Sequence, residues 1–543
     1  MTQPLVDLRG RSPWSVLPPL CFGFFMIMVD TTIVNIAVPT LQDAFGASLV
    51  TVGWVNSAYL LTFAVLLLVT GRLGDRFGPR PVFVTGLVIF TLASLACGLS
   101  GSVGWLIAAR AVQGVGGALM TPQTMAMITR VFPPQQRGAA MGVWGSVAGV
   151  ATITGPVLGG LLVETVGWEW IFYVNVPVGA VALWLSFRQL PVLPTHARSL
   201  DGVGVVLSVV GLTLLVFGLQ EGEAYDWGTI VGPVTVWGVV GAGVLVSGAF
   251  LLWQRHRGDD ALLPLRLFVH RNFSLANVAG AAVTFAMTGI FFPFTLYLQQ
   301  VLGLSPLHAA LVGLPGSLLS GVIAPFAGRL SDRVPGKWVA FSGFATLAVA
   351  IGILATQVQP GVAVWRLVLP MVLFGVGTGL VFSPLASLAT SGLDQRTAGA
   401  GAGAFNTTRQ VGGVIGSAVV VATLTSRLAA TMPAAAQDAA AGLPEQVRGP
   451  FVEGFRQAAS AGLGAGGGFD VPAGVPADVA EQLRAAARTA VDAGFASAAA
   501  QTLAVTVGVL VLGALCALAM RAHRPGTPAD AGPAAPAEQV AAP

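Results

Sequence analysis

The chain has 543 residues, of which 55% are apolar and only 9% are Asp, Glu, Lys or Arg, with a net charge of +4 and a mean hydropathy of +0.79. A soluble domain carries about 25% charged residues, so a water-soluble globule is excluded. The continuous Leu, Val, Gly and Ala runs also lack the strict alternation of a transmembrane β-barrel. The expectation is an all-α polytopic membrane protein that sits in the lipid bilayer of the cell membrane and has no nucleic-acid partner.

After an N-tail over 1–14, apolar runs long enough to cross a hydrocarbon core about 30 Å thick are predicted at 15–38, 49–70, 81–101, 104–128, 138–162 and 169–188. Two more follow at 202–220 and 232–254, and another six at 272–298, 306–328, 338–357, 364–390, 399–425 and 498–520. That makes 14 spans, with a Pro- and Ala-rich tail over 521–543 that is expected to be disordered. The first run is too long for a signal peptide and reads as an uncleaved span. An Ala- and Gly-rich segment over 427–497 is the one sizeable non-membrane piece. Helical patterns at 445–462 and 477–496 suggest an extracellular helical hairpin, a low-complexity linker being the alternative. Cys21, Cys97 and Cys516 lie in separate spans without paired spacing, and the five histidines are scattered, so neither a disulfide framework nor a metal site is indicated.

An even span count puts both termini on one side, and the basic residues choose it. With the termini inside, 19 Lys and Arg fall in cytoplasmic segments against Arg366 alone in the short outer loops. The five in the long outer segment do not count, because long segments translocate largely regardless of charge.

Gly-Arg-Leu-Gly-Asp-Arg at 71–76 recurs as Gly-Arg-Leu-Ser-Asp-Arg at 328–333. The pairs Gln136-Arg137 and Gln395-Arg396, and the runs Gly114-Val115-Gly116 and Gly375-Val376-Gly377, follow in the same order at nearly the same offset. The chain therefore reads as a duplicated six-helix bundle, 15–188 and 272–520, joined by two inserted helices over 202–254. Two such halves around a central cavity are the architecture expected of a secondary transporter.

Nine motifs in order give the chain a family resemblance. They are MVDTTIVNIAVPTL (28–41), WVNSAYLL (54–61), GRLGDRFGPRP (71–81), LIAARAVQGVGGAL (106–119), GPVLGG (155–160), WEWIFYVNVPVG (168–179), LPLRLFVHRNF (263–273), YLQQVLGLSP (297–306) and FNTTRQVGG (405–413). Over about residues 15–425 the sequence resembles the major facilitator superfamily, and specifically its fourteen-span drug:proton antiporters of the EmrB/QacA type. Pro79 stands where a basic residue is usual, and Glu169 where arginine is commoner. The resemblance implies gating by Asp75 and an exporter-type bend at the interface between the halves, formed by Gly155, Pro156, Gly159 and Gly160.

The residues themselves point to chemistry as well. Asp30 is the one acidic residue well inside a span. An ionisable group there costs at least about 2.5–3.5 kcal/mol on insertion scales, and desolvation favours the neutral form of any carboxyl group, the property a proton carrier needs. At about 1.5 Å per residue, Asp30 lies roughly 12 Å and Arg110 roughly 9 Å below the outer ends of their spans. They are expected to form a switchable proton-coupling pair, a permanent ion pair being the alternative. Gly71, Asp75, Arg76, Arg80, Asp332 and Arg333 are the candidate cytoplasmic gate, in which a carboxylate bonds a helix N-terminus of the other half. Asn56, Tyr59, Gln113, Gln123, Phe285, Phe291, Tyr297, Asn406 and Arg409 are candidates for the substrate path, with Met287, Phe292 and Gln410 beside them. Arg409 has no acid partner in any span and is expected to bond backbone carbonyls or an anionic group.

No nucleotide-binding loop or catalytic motif is present, so the chain is not expected to be an enzyme, and protons are its expected coupling ion with no other cofactor. The leading expectation is proton-coupled export of lipophilic drugs or antibiotics by a functional monomer. A dedicated exporter of one endogenous lipid or secondary metabolite is the alternative, and a membrane sensor the remote one. An adaptor protein on the outer segment is allowed but not indicated.

Overall fold

A backbone that crosses lipid must satisfy its own amides and carbonyls, so each apolar run becomes a helix, and Gly, Pro and short polar caps set the breaks. The computed structural model describes residues 11–193, 201–222, 225, 227–258, 261–390, 393, 397–460 and 477–522. Helix α1 (Leu17–Phe45) stops at Gly46 in the left-handed region, and Ser48 caps α2 (Leu49–Phe77) through the Thr51 amide. Gly78, with φ 90°, turns the chain into α3 (Pro79–Gly98), and Ser102 caps α4 (Val103–Val131). Then come α5 (Pro134–Thr165), and α6 (Trp170–Tyr173) with α7 (Asn175–Gln189), two pieces of the sixth predicted span.

Helices α8 (Gly202–Gln220) and α9 (Val236–Arg257) are joined by a small hairpin, β1 (Thr229–Val231) with β2 (Val234–Thr235), that the sequence reading missed. The second half holds α10 (Arg271–Leu296), α11 (Pro306–Ser331), α12 (Gly336–Gln357), α13 (Val364–Thr390), α14 (Ala398–Ala439), α15 (Glu445–Ser460) and α16 (Ala477–Ala519). Among the described residues, 13 helical segments are long and apolar enough to cross a membrane. Side chains such as Leu245 and Leu252 on α9 are 75% and 71% exposed, as lipid-facing positions require.

Helices α1–α7 pack as one bundle, and α10–α14 with α16 as the other. The halves meet along two seams, α2 on α14 and α5 on α11, where small residues let backbones approach. A Cβ on Gly71 would lie 2.5 Å from the Gly399 carbonyl, and one on Gly142 would lie 2.6 Å from that of Ala324. The α8–α9 pair rests on the α2–α14 seam, with Trp54 and Phe217 ring centroids 5.7 Å apart.

Helix α14 runs well past the predicted end of its span at 425, and α16 begins well before 498. These extensions enclose α15, whose Phe451 and Phe455 pack with Ala436, Leu443, Leu483 and Ala487. Instead of a separate hairpin, the segment is therefore built on two span helices that continue beyond the apolar slab. Gln395, Arg396 and the tail from His523 lie outside the described residues.

Candidate functional site

In the first bundle α1 and α4 bring Asp30 and Arg110 together with no solvent exposure, at 2.5 Å between Oδ2 and Nη1. Gln113, one turn beyond Arg110, accepts from Arg110 Nη1 at 2.7 Å and donates to Asp30 Oδ1 at 2.8 Å. Asn175 of α7 donates to the same Oδ1 at 3.3 Å and to Ser94 Oγ at 3.0 Å. Arg110 Nε donates to the Val55 carbonyl, and the guanidinium lies 4.2 Å from the Tyr59 ring centroid. A buried ion pair is tolerated when further bonds satisfy its remaining donors and acceptors, and here Gln113 of α4, Val55 of α2 and Asn175 of α7 supply them for all but Arg110 Nη2.

Between the bundles lies a cavity lined from the first half by Phe24, Met28, Phe63 and Trp144 and from the second by Phe291, Phe374 and Phe382. Phe24 and Trp144 stack at 4.2 Å. The polar lining from α14 is Asn406, Arg409 and Gln410. The Arg409 guanidinium stands 4.8 Å from the Phe382 centroid and 5.8 Å from that of Phe405, where the sequence reading expected backbone carbonyls or an anionic group. Phe24, Met28 and Asp30 share α1, so the cavity wall and the buried pair are mechanically one helix.

At the end predicted to face the cytoplasm the halves are latched twice. Asp75 of α2 accepts from the Gly399 and Ala400 amides at the start of α14, at 2.9 and 2.8 Å. Asp332, just after α11, accepts from the Gly138 and Ala139 amides at the start of α5, at the same two distances. A carboxylate on the free first-turn amides of a helix, as Gly399 and Ala400 are in α14, is favoured by both hydrogen bonding and the helix dipole, whereas Gly138 and Ala139 lie in the second turn of α5. The duplicated motif thus reaches across both seams. Asp75 is further held by Arg130 at 2.7 Å. Burial pushes the Asp332 carboxyl up, against the opposing pull of the Ala139 and Gly138 amides.

A family model described as Major Facilitator Superfamily matches residues 20–417. The chain belongs to the major facilitator superfamily. Over 456 residues it is 48% identical to the uncharacterised MFS-type transporter Rv1250 of Mycobacterium tuberculosis, covering 82% of this chain and 78% of that protein. It is 36% identical over 437 residues to the tetracenomycin C resistance and export protein of Streptomyces glaucescens, covering 79% of each. The crystal structure of the human organic anion transporter MFSD10 (TETRAN) superimposes with a TM-score of 0.59 at 14% identity, over 93% of this chain and 100% of that one, a likeness of fold. This superfamily member is a membrane-embedded transporter and not an enzyme.

Several expected site residues of this transporter sit elsewhere than predicted. Of the substrate-path candidates, Phe291, Asn406 and Arg409 line the cavity, with Met287 and Gln410. Gln113 and Tyr59 belong instead to the Asp30–Arg110 cluster, because positions 110 and 113 share a helix face. Gln123 is buried against α2, donating to the Thr70 carbonyl at 2.8 Å. Phe285 packs α10 on α14 near Gly416, and the Tyr297 hydroxyl donates to the Gln359 carbonyl at 2.6 Å beyond α12. Asn56 and Phe292 are not among the cavity lining.

In the gate, Arg76 points away from Asp75, since adjacent residues are about 100° apart on a helix, and stands over Phe77. Arg80 ties α3 to α7 through the Phe187 carbonyl, and Arg333 is exposed. Gly71 lies at the α2–α14 seam, against Gly399 and Gly403. Gly155 and Gly159 face Thr32 and Ile33 of α1 rather than the other half, a Cβ on Gly159 falling 2.8 Å from Ile33 Cγ1. They bring α5 against the helix that carries Asp30, while Gly160 has open space beside it. The side chain of Pro156 lies outside the described residues.

Residues that the sequence reading passed over are Ser94, Asn175 and Arg130. Asn175 lies within the quoted WEWIFYVNVPVG run, and an amide in the middle of a span was the available signal.

Proposed function

We propose that this transporter exports lipophilic drugs or antibiotics by alternating access, in exchange for protons. The reading includes fourteen spans of the EmrB/QacA type, a cell-membrane location with both termini in the cytoplasm, and a working unit of one chain with no cofactor beyond the coupling proton. One observation carries it: Asp30, fully buried and ion-paired with Arg110, sits on the same helix as one wall of the cavity between the halves. The resistance and export named for the Streptomyces relative supports the direction of transport.

The steps follow from charge. With Asp30 ionised, the pair is neutral overall and α1 is held on α4. A proton on Asp30 leaves Arg110 buried without a counter-charge, and breaking such a pair costs about 3–5 kcal/mol. Re-packing of α1 relieves that cost and alters the cavity through Phe24 and Met28. The membrane potential supplies about 2.3 kcal/mol per charge for each 100 mV, enough to bias the exchange. The two Asp latches close the cytoplasmic end, so this conformation faces outward, and their release opens the cavity inward.

Uptake into inverted membrane vesicles tests the reading. A panel of lipophilic antibiotics is expected to show ones that accumulate on energisation and are lost on adding a protonophore, with no accumulation in Asp30→Asn vesicles. Accumulation that survives the protonophore or the substitution contradicts it.

A further inference from the structure

We infer that the cavity selects lipophilic substrates carrying a negative charge, a carboxylate or ionised phenol on an aromatic body, with Arg409 as the residue that binds the charge. The inference rests on the efflux reading for its physiological sense, but it is a statement about binding and can fail separately.

Arg409 is the one ionisable side chain among the described residues that line the cavity. No ion pair among the described residues includes it, and its Nε has no hydrogen-bond partner. None of the buried acids Asp30, Asp75, Asp201 and Glu221 lines the cavity. Asp30 is held by Arg110, Asp75 by Arg130 and two amides, and Asp201 by Trp253, Gln254 and an amide.

The position is also constructed. Gly280 leaves room for the stem of Arg409, since a Cβ there would lie 3.0 Å from Arg409 Cγ. Thr284 of α10 donates to the Arg409 carbonyl at 2.6 Å and fixes the backbone.

A guanidinium surrounded by apolar walls is poorly solvated, and the rings of Phe382 and Phe405 offset this only through their faces. Its planar donor fork matches a carboxylate in two parallel bonds. In a cavity of low polarity the same charge repels a cationic ligand more strongly than it would in water. Phe291, Phe374 and Trp144 supply the stacking surface for the aromatic body, and Asn406 and Gln410 supply neutral polar contacts beside the charge. Export of an anion in exchange for a proton moves charge in one electrical sense twice over, so the membrane potential drives both limbs.

The test compares pyrenebutyrate, its neutral amide and the matching trimethylammonium derivative, bound to purified protein in nanodiscs with empty nanodiscs subtracted. Wild type is expected to bind the carboxylate about ten- to a hundredfold more tightly than the amide, the scale of a charge-assisted bond, and to bind the ammonium weakest. Arg409→Met is expected to bind the amide as wild type does and to lose the preference, while Arg409→Lys keeps part of it. Retained amide binding by Arg409→Met shows that the variant is folded.

Equal binding of carboxylate and amide, a preference that survives in Arg409→Met, or binding of none of the three overturns the inference. Carboxylate binding with the expected preference, but no energised uptake of any compound into inverted vesicles, leaves the inference standing and counts against the efflux reading. Where uptake occurs, an interior-positive potential in such vesicles is expected to accelerate the carboxylate. No acceleration contradicts the stated exchange of an anion for a proton.

Discussion

Replacing Asp75 by Asn removes an ion pair and weakens two charge-assisted bonds at once. The carboxylate accepts from Gly399 and Ala400 at 2.9 and 2.8 Å and from Arg130 at 2.7 Å. Asparagine keeps one acceptor oxygen, turns an amide group toward a backbone N–H, and leaves Arg130 nearly buried without its counter-charge. Bonds to charged groups are worth about 1.5–3 kcal/mol each and truncating a buried pair costs about 3–5 kcal/mol, so the latched state loses about 3–5 kcal/mol against the unlatched one. That is more than a hundredfold in the equilibrium, close to the size that inverts a two-state population.

Asp332→Asn is the internal control. It weakens the matching pair of amide bonds at Gly138 and Ala139, but no ion pair among the described residues includes Asp332. Its expected loss is about 1–2 kcal/mol. The assay is maleimide labelling of Ala402→Cys, fully buried at the start of α14, after Cys21, Cys97 and Cys516 are changed to Ser. Labelling is expected to be slow in the wild-type background, fastest with Asp75→Asn and intermediate with Asp332→Asn. Unchanged labelling with Asp75→Asn, or a larger effect from Asp332→Asn, refutes the reasoning.

Other outcomes follow from the same contacts. Gly399→Ala places a Cβ 2.5 Å from both Asp75 Oδ1 and the Gly71 carbonyl, so it is expected to raise Ala402→Cys labelling at least tenfold with little loss of folded protein in size-exclusion profiles. Gln113→Leu is expected to reduce proton-dependent uptake of all exported compounds alike, whereas Phe291→Ala and Asn406→Ala change the ranking of compounds in the same panel. Asp201 caps α8 and ties it to α9 through Trp253 and Gln254. Burial pushes its carboxyl up, but these bonds, the Gly204 amide and Arg257 together bring it below the usual carboxylate range. Its contribution is therefore present above the ordinary carboxylate pKa and is lost as pH falls through the lowered value. The protection factor against hydrogen exchange at the start of α8, taken relative to the intrinsic rate at each pH, is expected to fall on acidification in wild type, and to be low and nearly pH-independent in Asp201→Asn.

The span pattern was legible because lipid imposes one rule on every helix, that apolar length must match its thickness. Asp30 and Arg110 stood out for the same reason, as charges in an apolar setting, and helical rise alone placed them at similar depth. What hydropathy cannot supply is the direction in which a helix face points. Gln113 therefore read as a cavity residue although it bonds the buried pair, and Gly155 and Gly159 read as the seam between the halves although they seat α5 on α1. Ser94 and Asn175 were passed over because a neutral polar residue in a span, even an amide, reads as helix packing until its partner is known. Arg130 read as an ordinary inside charge, since its burial depends on Asp75 and the start of α14 coming together from opposite halves. The helices over 427–497 were blurred because Ala and Gly give little periodicity, and because α14 continues through the polar run Thr425-Ser426-Arg427 and through Pro433, which read as the end of the span.

The central claim is that Asp30 exchanges its proton as substrate binds. Its most direct measurement is proton release from purified protein in weakly buffered detergent solution, followed with a pH indicator as an exported compound is added. Wild type is expected to release protons in proportion to the compound bound, and Asp30→Asn to bind the compound without release. Equal release from both proteins would contradict the account.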